Sequence, residues 1–225
     1  MRLTYLYNSG FLIEAPGVDI LIDYWRGDFK PAPGKKLYVL ASHSHGDHYS
    51  KKIWDFDGED TTYALSYEIK HANEDNVLFL TKGDSLTDEN IYVKACGSTD
   101  AGISFLIRAD EKVIFHAGDL NNWHWSDEST PEEIKEAGDW YLAELEYIAN
   151  FARKIDVAFF PVDPRLGDDY CLGASQFIER IDTLHFVPMH FGNDYARANM
   201  FDEYATARGV NFIKIKSPGV ICEII

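Results

Sequence analysis

The chain has 225 residues, 46% of them hydrophobic and 14% aromatic, and a formal charge of −16. That composition supports a sizeable buried core and excludes a disordered chain. The acidity weighs against nucleic acid and anionic membrane as partners, since both bind largely through neutralised phosphate charge.

No apolar run is long enough to cross a bilayer, and Met1 to Tyr7 reads as a strand of the fold rather than a secretion signal. One cytoplasmic domain over residues 1–225 is therefore expected. Leu3–Tyr7, Phe11–Glu14 and Asp19–Asp23 are β-type runs, punctuated by Asn8-Ser9-Gly10 and Pro16-Gly17. Lys36–Leu40 is a further strand that feeds into His43-Ser44-His45-Gly46-Asp47-His48. Thr61–Leu65 and Val77–Leu80 are expected strands around a short helix, where His71 reads as a surface residue. Ile91–Ala95, Ile103–Arg108 and Lys112–His116 continue the series, with Ala109-Asp110-Glu111 as a hairpin turn.

Beyond residue 125 the pattern changes. Thr130-Pro131-Glu132-Glu133 carries an N-cap, a first-turn proline and a capping-box glutamate. Ile134, Ala137, Tyr141, Leu145, Ile148 and Ala152 then recur at helical spacing, which predicts a helix to about Arg153. Ile155–Phe160 is a buried strand, Ala174–Asp182 a helix and His185–Met189 a strand; a helix near Ala196–Ala207 and strands at Asn211–Ile215 and Gly219–Ile224 close the chain. Antiparallel-looking strands early and alternating strands and helices later predict an α/β (α+β) layered protein. The three cysteines lack ligand-type spacing and read as ordinary thiols.

Chemistry concentrates after the fourth strand. Three histidines and an aspartate fall within six residues, and alternate residues at a strand end aim His43 and His45 to one side. Imidazole and carboxylate donors together suit Zn²⁺ and similar ions, with Mn²⁺, Fe²⁺ or Ni²⁺ as alternatives. Asp119, in a glycine turn after Ile114-Phe115-His116, and His190, after Phe186-Val187-Pro188-Met189, are candidate ligands delivered from later strand ends.

The series H-x-H-G-D-H, then Gly-Asp after a strand, then His after a strand, resembles the metallo-β-lactamase superfamily over nearly the whole chain. The fold implied is a four-layer αβ/βα sandwich with metals at the edge between two sheets. The chain is most similar to short members grouped with the ascorbate phosphate lactonase. The resemblance implies His43 and His45 on a first metal, Asp47, His48 and His190 on a second, and Asp119 bridging both. It gives Asp23, which ends Ile20-Leu21-Ile22, the part of an acceptor that orients a ligand imidazole. The family usually places a further histidine where Gly97-Ser98-Thr99-Asp100 has Ser98. The first metal would then be the weaker one, supplemented by water or Asp100.

Hydrolysis by an activated water follows from such an ion, with Asp47 or Asp119 steering the water proton. His124, His116 or a bound water are candidate proton donors to the leaving group. Trp123 and Trp125 are candidate walls of the cleft. Arg165 is a candidate clamp for a phosphate or carboxylate, or a partner of Asp168 or Asp169. The expected activity is hydrolysis of a small ester, lactone, amide or phosphate. The alternatives are a phosphodiesterase or nuclease of the same superfamily, a di-iron redox protein, and a non-catalytic metal-binding sensor.

Overall fold

A computed structural model describes residues 1–58, 60–70 and 75–224 of the chain. Six strands come first: β1 (Arg2–Tyr7), β2 (Gly10–Ala15), β3 (Val18–Ile22), β4 (Lys36–Ala41), β5 (Thr61–Ser66) and β6 (Val77–Leu80). Seven more follow: β7 (Ser85–Thr87), β8 (Tyr92–Cys96), β9 (Ser104–Ala109), β10 (Lys112–His116), β11 (Lys154–Pro161), β12 (Asp182–Met189) and β13 (Asn211–Phe212). The last strand, β14 (Gly219–Glu223), returns to the edge of the first group. The result is two seven-stranded sheets, ordered β14-β1-β2-β3-β4-β5-β6 and β13-β12-β11-β10-β9-β8-β7.

Each sheet is mixed in the same way. Hairpins join β1 to β3 and β7 to β10, while β3 to β6 and β10 to β13 run parallel. Alternating residues explain the stacking. On β4, Tyr38 and Leu40 join the core between the sheets, whereas Leu37, Val39 and Ala41 face a second cluster with Ile53 and Tyr63. On β11, Phe159 meets Phe11 of the first sheet at 4.4 Å, and its neighbour Phe160 turns to Phe177 at 4.7 Å. Phe177 lies on α2 (Leu172–Arg180), which covers the outer face of the second sheet with α1 (Pro131–Ala149) and α4 (Phe201–Thr206), while Tyr195 of the short α3 (Tyr195–Ala198) packs edge-on against Tyr5 of the first sheet. The architecture is the expected α/β sandwich. Its outer layer on the first sheet is a 3₁₀ turn, Lys51–Phe56, the one helical element on that face among the described residues.

Several boundaries differ from the sequence reading. Helix α1 has the predicted capping box, with Thr130 accepting from the Glu133 N–H and Glu133 from the Thr130 N–H. It ends at Ala149, four residues early, because Asn150 to Ala152 form the tight turn into β11 and bury Ala152 there. The predicted helix over Ala196–Ala207 is divided into α3 and α4. Asn199 sits at the break, and its side chain bonds both the N–H and the carbonyl of Ile215. The same contact shortens the expected strand Asn211–Ile215, since the ladder gives way to that side chain after Phe212. The short strand β7 was not anticipated. Between β5 and β6, the described residues 67–70 and 75–76 form turns and bends rather than a helix, and His71 lies outside the described residues. The hairpin turn Asp110-Glu111 is as expected, with φ of 50° and 58°, the left-handed pair of a type I′ turn.

Candidate metal centre

Five strand ends meet at one rim: those of β3 and β4 in the first sheet and β10, β11 and β12 in the second. They deliver Asp23, His43, Asp119, Asp163 and His190. The close approach depends on glycine. A Cβ on Gly102 (φ +70°) would lie 2.0 Å from the Ser42 carbonyl oxygen, and one on Gly118 (φ +54°) would lie 2.8 Å from the Ser42 Cβ.

The donor atoms converge on Asp119. Its Oδ1 lies 3.0 Å from His48 Nε2 and 3.3 Å from His190 Nε2, and its Oδ2 lies 3.3 Å from His43 Nε2. Asp47 Oδ2 stands 3.5 Å from His190 Nε2 and 3.8 Å from His48 Nε2. The exposed His45 ring meets the His43 ring edge-on at 4.5 Å. Three sets each hold their ligand atoms within 4.8 Å of one another: His43-Asp47-His48, His43-His45-Asp119 and His48-Asp119-His190. The six candidate ligands thus come together.

A fit test for a cation is the state of the buried polar atoms. His43 Nε2, His48 Nε2 and Asp119 Oδ1 are buried and make no hydrogen bond of acceptable geometry. Buried polar atoms left so are rare and costly. Here they face one another, which is the arrangement a bound cation satisfies.

The opposite ring nitrogens are fixed from behind. His48 Nδ1 lies 2.8 Å from Asp23 Oδ2, and His190 Nδ1 lies 3.0 Å from Asp163 Oδ2. An ionised carboxylate only accepts, so each Nδ1 carries a proton and each Nε2 is aimed at the centre. The Ser42 hydroxyl donates to Asp23 at 2.7 Å and stands 3.0 Å from His43 Nδ1. Asp23 therefore orients His48 directly and His43 through Ser42. Asn8 Nδ2 donates to Asp47 Oδ2 at 3.2 Å, while its carbonyl accepts the His190 N–H. Asp163, Ser42 and Asn8 were missed in the sequence. Asp163 carried a signal, since it follows an apolar strand just as Asp23 does.

Electrostatics match this geometry. Burial disfavours charge on His48, yet Asp119 and Asp23 outweigh it and lift its pKa to about 10. His190 is likewise held at about 9, against burial, by Asp119, Asp163 and Asp47. Burial, reinforced by His48, pushes His43 down to about 4. Asp119 stays well below the usual carboxylate range despite burial, because His48 and His190 face it. The centre is a carboxylate-rich pocket that holds positive charge.

The remaining candidates divide. A cavity of about 440 Å³ opens over the donors and is lined by His45, Asp100, Asp119, Trp123, Trp125 and Arg165, among others. Trp123 stacks on Trp125 at 5.9 Å and meets His190 edge-on at 5.7 Å. Burial, with Asp119 nearby, raises the Asp100 carboxyl. The Ser98 hydroxyl accepts the Asp100 N–H at 3.2 Å. Arg165 pairs with Asp163, at 2.5 to 3.0 Å, rather than with Asp168 or Asp169. His124 does not reach the site: it is buried, with one ring nitrogen accepting from the Ser126 N–H and the other 3.3 Å from the Asp169 carbonyl. His116 is equally enclosed, bonded to the Ser9 carbonyl and the Gly118 N–H.

Comparison with known proteins bears on the family and the fold. The family described as the beta-lactamase superfamily domain matches residues 2–190. A UPF0173 metal-dependent hydrolase of Pelotomaculum thermopropionicum is 25% identical over 258 aligned positions, covering all of both chains. Among solved structures, the metallo hydrolase Igni18 of Ignicoccus hospitalis superposes with a TM-score of 0.66 at 18% identity, over 97% of this chain and 95% of that one. CmlA, a diiron β-hydroxylase of Streptomyces venezuelae, gives 0.64 at 11% identity, over 95% of this chain and 52% of that one. Both likenesses concern the fold.

Proposed function

The chain belongs to the metallo-β-lactamase superfamily, and from that premise we propose that it is a metal-dependent hydrolase of a small ester, lactone, amide or phosphate substrate. The observation that carries this reading is the convergence of three buried, unbonded ligand atoms, His43 Nε2, His48 Nε2 and Asp119 Oδ1. His43, His45 and Asp119 would hold one ion, and Asp47, His48, Asp119 and His190 a second. Zinc suits this mixture of imidazole and carboxylate, and the second position has the fuller set, four residues against three. A divalent ion there would bring the pKa of water towards neutrality and polarise a carbonyl or phosphoryl oxygen.

The rest of the work falls to the chain. Asp23, Ser42 and Asp163 keep the imidazoles oriented. Trp123 and Trp125 wall the cavity and limit water around the scissile bond. Asp47, more exposed than the buried Asp119, would accept a proton from the attacking water. Asp100 lines the donor cavity, which the enclosed His124 and His116 do not, and would be the group that returns a proton to the leaving atom.

Elemental analysis of protein purified without chelator tests this reading, together with a panel of esterase, lactonase and phosphodiesterase substrates. One to two equivalents of metal, turnover abolished by chelation and restored by Zn²⁺, and loss of metal in His190→Ala are expected. A protein that binds no divalent metal overturns the proposal. A protein that binds metal but hydrolyses none of the panel gives the sensor reading the advantage.

A further inference from the structure

Beside the donor cavity lies a second one of about 560 Å³, and the two share Asp47, Arg165 and His190 as a common wall. Its other lining is of two kinds. Tyr7, Trp25 and Phe191 supply aromatic faces, and Arg197 and Asn193 supply donors.

The aromatic side is rigid. Tyr7 and Trp25 meet at 5.3 Å, and the Arg26 guanidinium lies 3.5 Å from the Tyr7 ring centre and 4.4 Å from that of Trp25. The Tyr7 hydroxyl donates to Asn193 Oδ1 at 2.9 Å, which ties the β1–β2 turn to the loop after β12. A wall fixed before binding loses little freedom on binding.

The charged side is asymmetric. Each acid on the lining is already engaged: Asp47 by Asn8 and His190, Asp163 by Arg165 and His190, Asp194 by the Arg197 N–H. The arginines keep donors free. Arg165 uses Nε and Nη2 on Asp163, and Arg197 uses Nη2 on the Gly167 carbonyl and stands 3.8 Å from the exposed Asp168, which leaves the Nη1 of each without a hydrogen bond among the described residues. In a chain of net charge −16, such a pocket is where an anion can be held.

We propose that this second cavity binds the non-reacting end of the substrate, a flat aromatic group bearing an anionic oxygen function, carboxylate or phosphate, at Arg197 and Arg165. The proposal rests on the hydrolase reading, because it places the scissile bond over the donor cavity next door.

The test is tryptophan-fluorescence titration of the metal-stripped and zinc-loaded protein with phenyl phosphate, phenylacetate and the neutral benzyl alcohol. Both anionic probes are expected to bind the metal-stripped protein at least about tenfold more tightly than benzyl alcohol. Their ratio tells phosphate from carboxylate. Arg197→Gln should weaken the anions about tenfold and leave benzyl alcohol unchanged, while Trp25→Ala should weaken all three. Zinc stoichiometry and the melting curve, measured on each variant, confirm an intact fold; Asn193→Ala serves as a second variant should Arg197→Gln misfold. Equal affinity for anionic and neutral probes, or anion binding unmoved by both Arg197→Gln and Asn193→Ala, overturns the proposal. Zinc binding and hydrolysis with no such discrimination leave the hydrolase reading standing without it. Discrimination without hydrolysis would leave an anion-binding pocket, while the hydrolase reading and the cavity's assignment to a substrate's end both fall.

Discussion

At the scale of single residues, the centre is built from side chains whose far ends are held. His190 is the instructive case: its φ is 61°, a left-handed conformation that costs a non-glycine residue on the order of 1–3 kcal/mol. Asn8, Asp23 and Trp125 share that strain, and all lie at or beside the centre. Hydrogen bonds and packing offset it, and Asp163 is the part that acts on His190. Asp163→Asn removes the charge behind the His190 ring, so metal affinity should fall about 10- to 100-fold in a chelator competition, with far-ultraviolet circular dichroism unchanged. An unchanged affinity would show that Asp163 serves only to pair with Arg165. A second residue-scale prediction concerns Gly102. Alanine there combines a left-handed φ of 70° with a 2.0 Å clash against the Ser42 carbonyl oxygen. Gly102→Ala should cost about 3 kcal/mol or more in urea unfolding and lower metal stoichiometry, because Ser42 and His43 must shift. Stability within about 0.5 kcal/mol of wild type would contradict this.

At the scale of elements, the strand ends make the site and a turn holds the sheets together. Asp88 sits between β7 and β8 of the second sheet and accepts from Tyr38 and Lys36, both on β4 of the first sheet, as well as from the Asn90 and Ile91 N–H groups. Burial opposes its charge, but these donors, Tyr38 foremost, keep its carboxyl below the ordinary value. A carboxylate with a depressed folded-state pKa stabilises the fold above the unfolded value of about 3.9, and that contribution fades as pH falls through the lower folded value. Wild type should therefore exceed Asp88→Asn by about 1 kcal/mol at pH 7, and the gap should narrow steadily below about pH 4. A gap that holds constant down to pH 2 would mean that the charge of Asp88 contributes nothing. Much of the element scale was legible beforehand. The capping box at Thr130 and Glu133 and the two-residue turn at Asp110-Glu111 both depend on local backbone chemistry, and both are present where the sequence placed them. The division between α3 and α4 was not legible, because it depends on the contact of Asn199 with Ile215, sixteen residues away.

At the scale of the molecule, the centre is the seam between two sheets, so whatever occupies it should stabilise the whole. Six candidate ligands come from both sheets, and a cation bound only by the folded chain adds about 2.7 kcal/mol when free metal is a hundredfold above its dissociation constant. For a chain of this size each kcal/mol corresponds to about 2–4 °C, so chelation should lower the melting temperature by roughly 5–10 °C and excess Zn²⁺ should restore it. Calorimetric scans with and without chelator check this; coincident scans would mean that no metal joins the sheets. Among the described residues no helix is long and apolar enough to cross a membrane.

The sequence by itself determined the β-rich layered fold and the nucleus of the site. Alternation and turn chemistry are local, and His43, His45, Asp47 and His48 are neighbours in the chain. Asp119 and His190 could be nominated because each follows an apolar strand into a turn. Only the tertiary structure decided how these parts are held. Asp163 lies 27 positions before His190, and Asn8 lies 39 positions before Asp47, yet each pair is in contact. The same packing removed His124 from the site and turned Arg165 onto Asp163. Such contacts depend on where the two sheets bring their strand ends, and no local pattern in the chain encodes that distance.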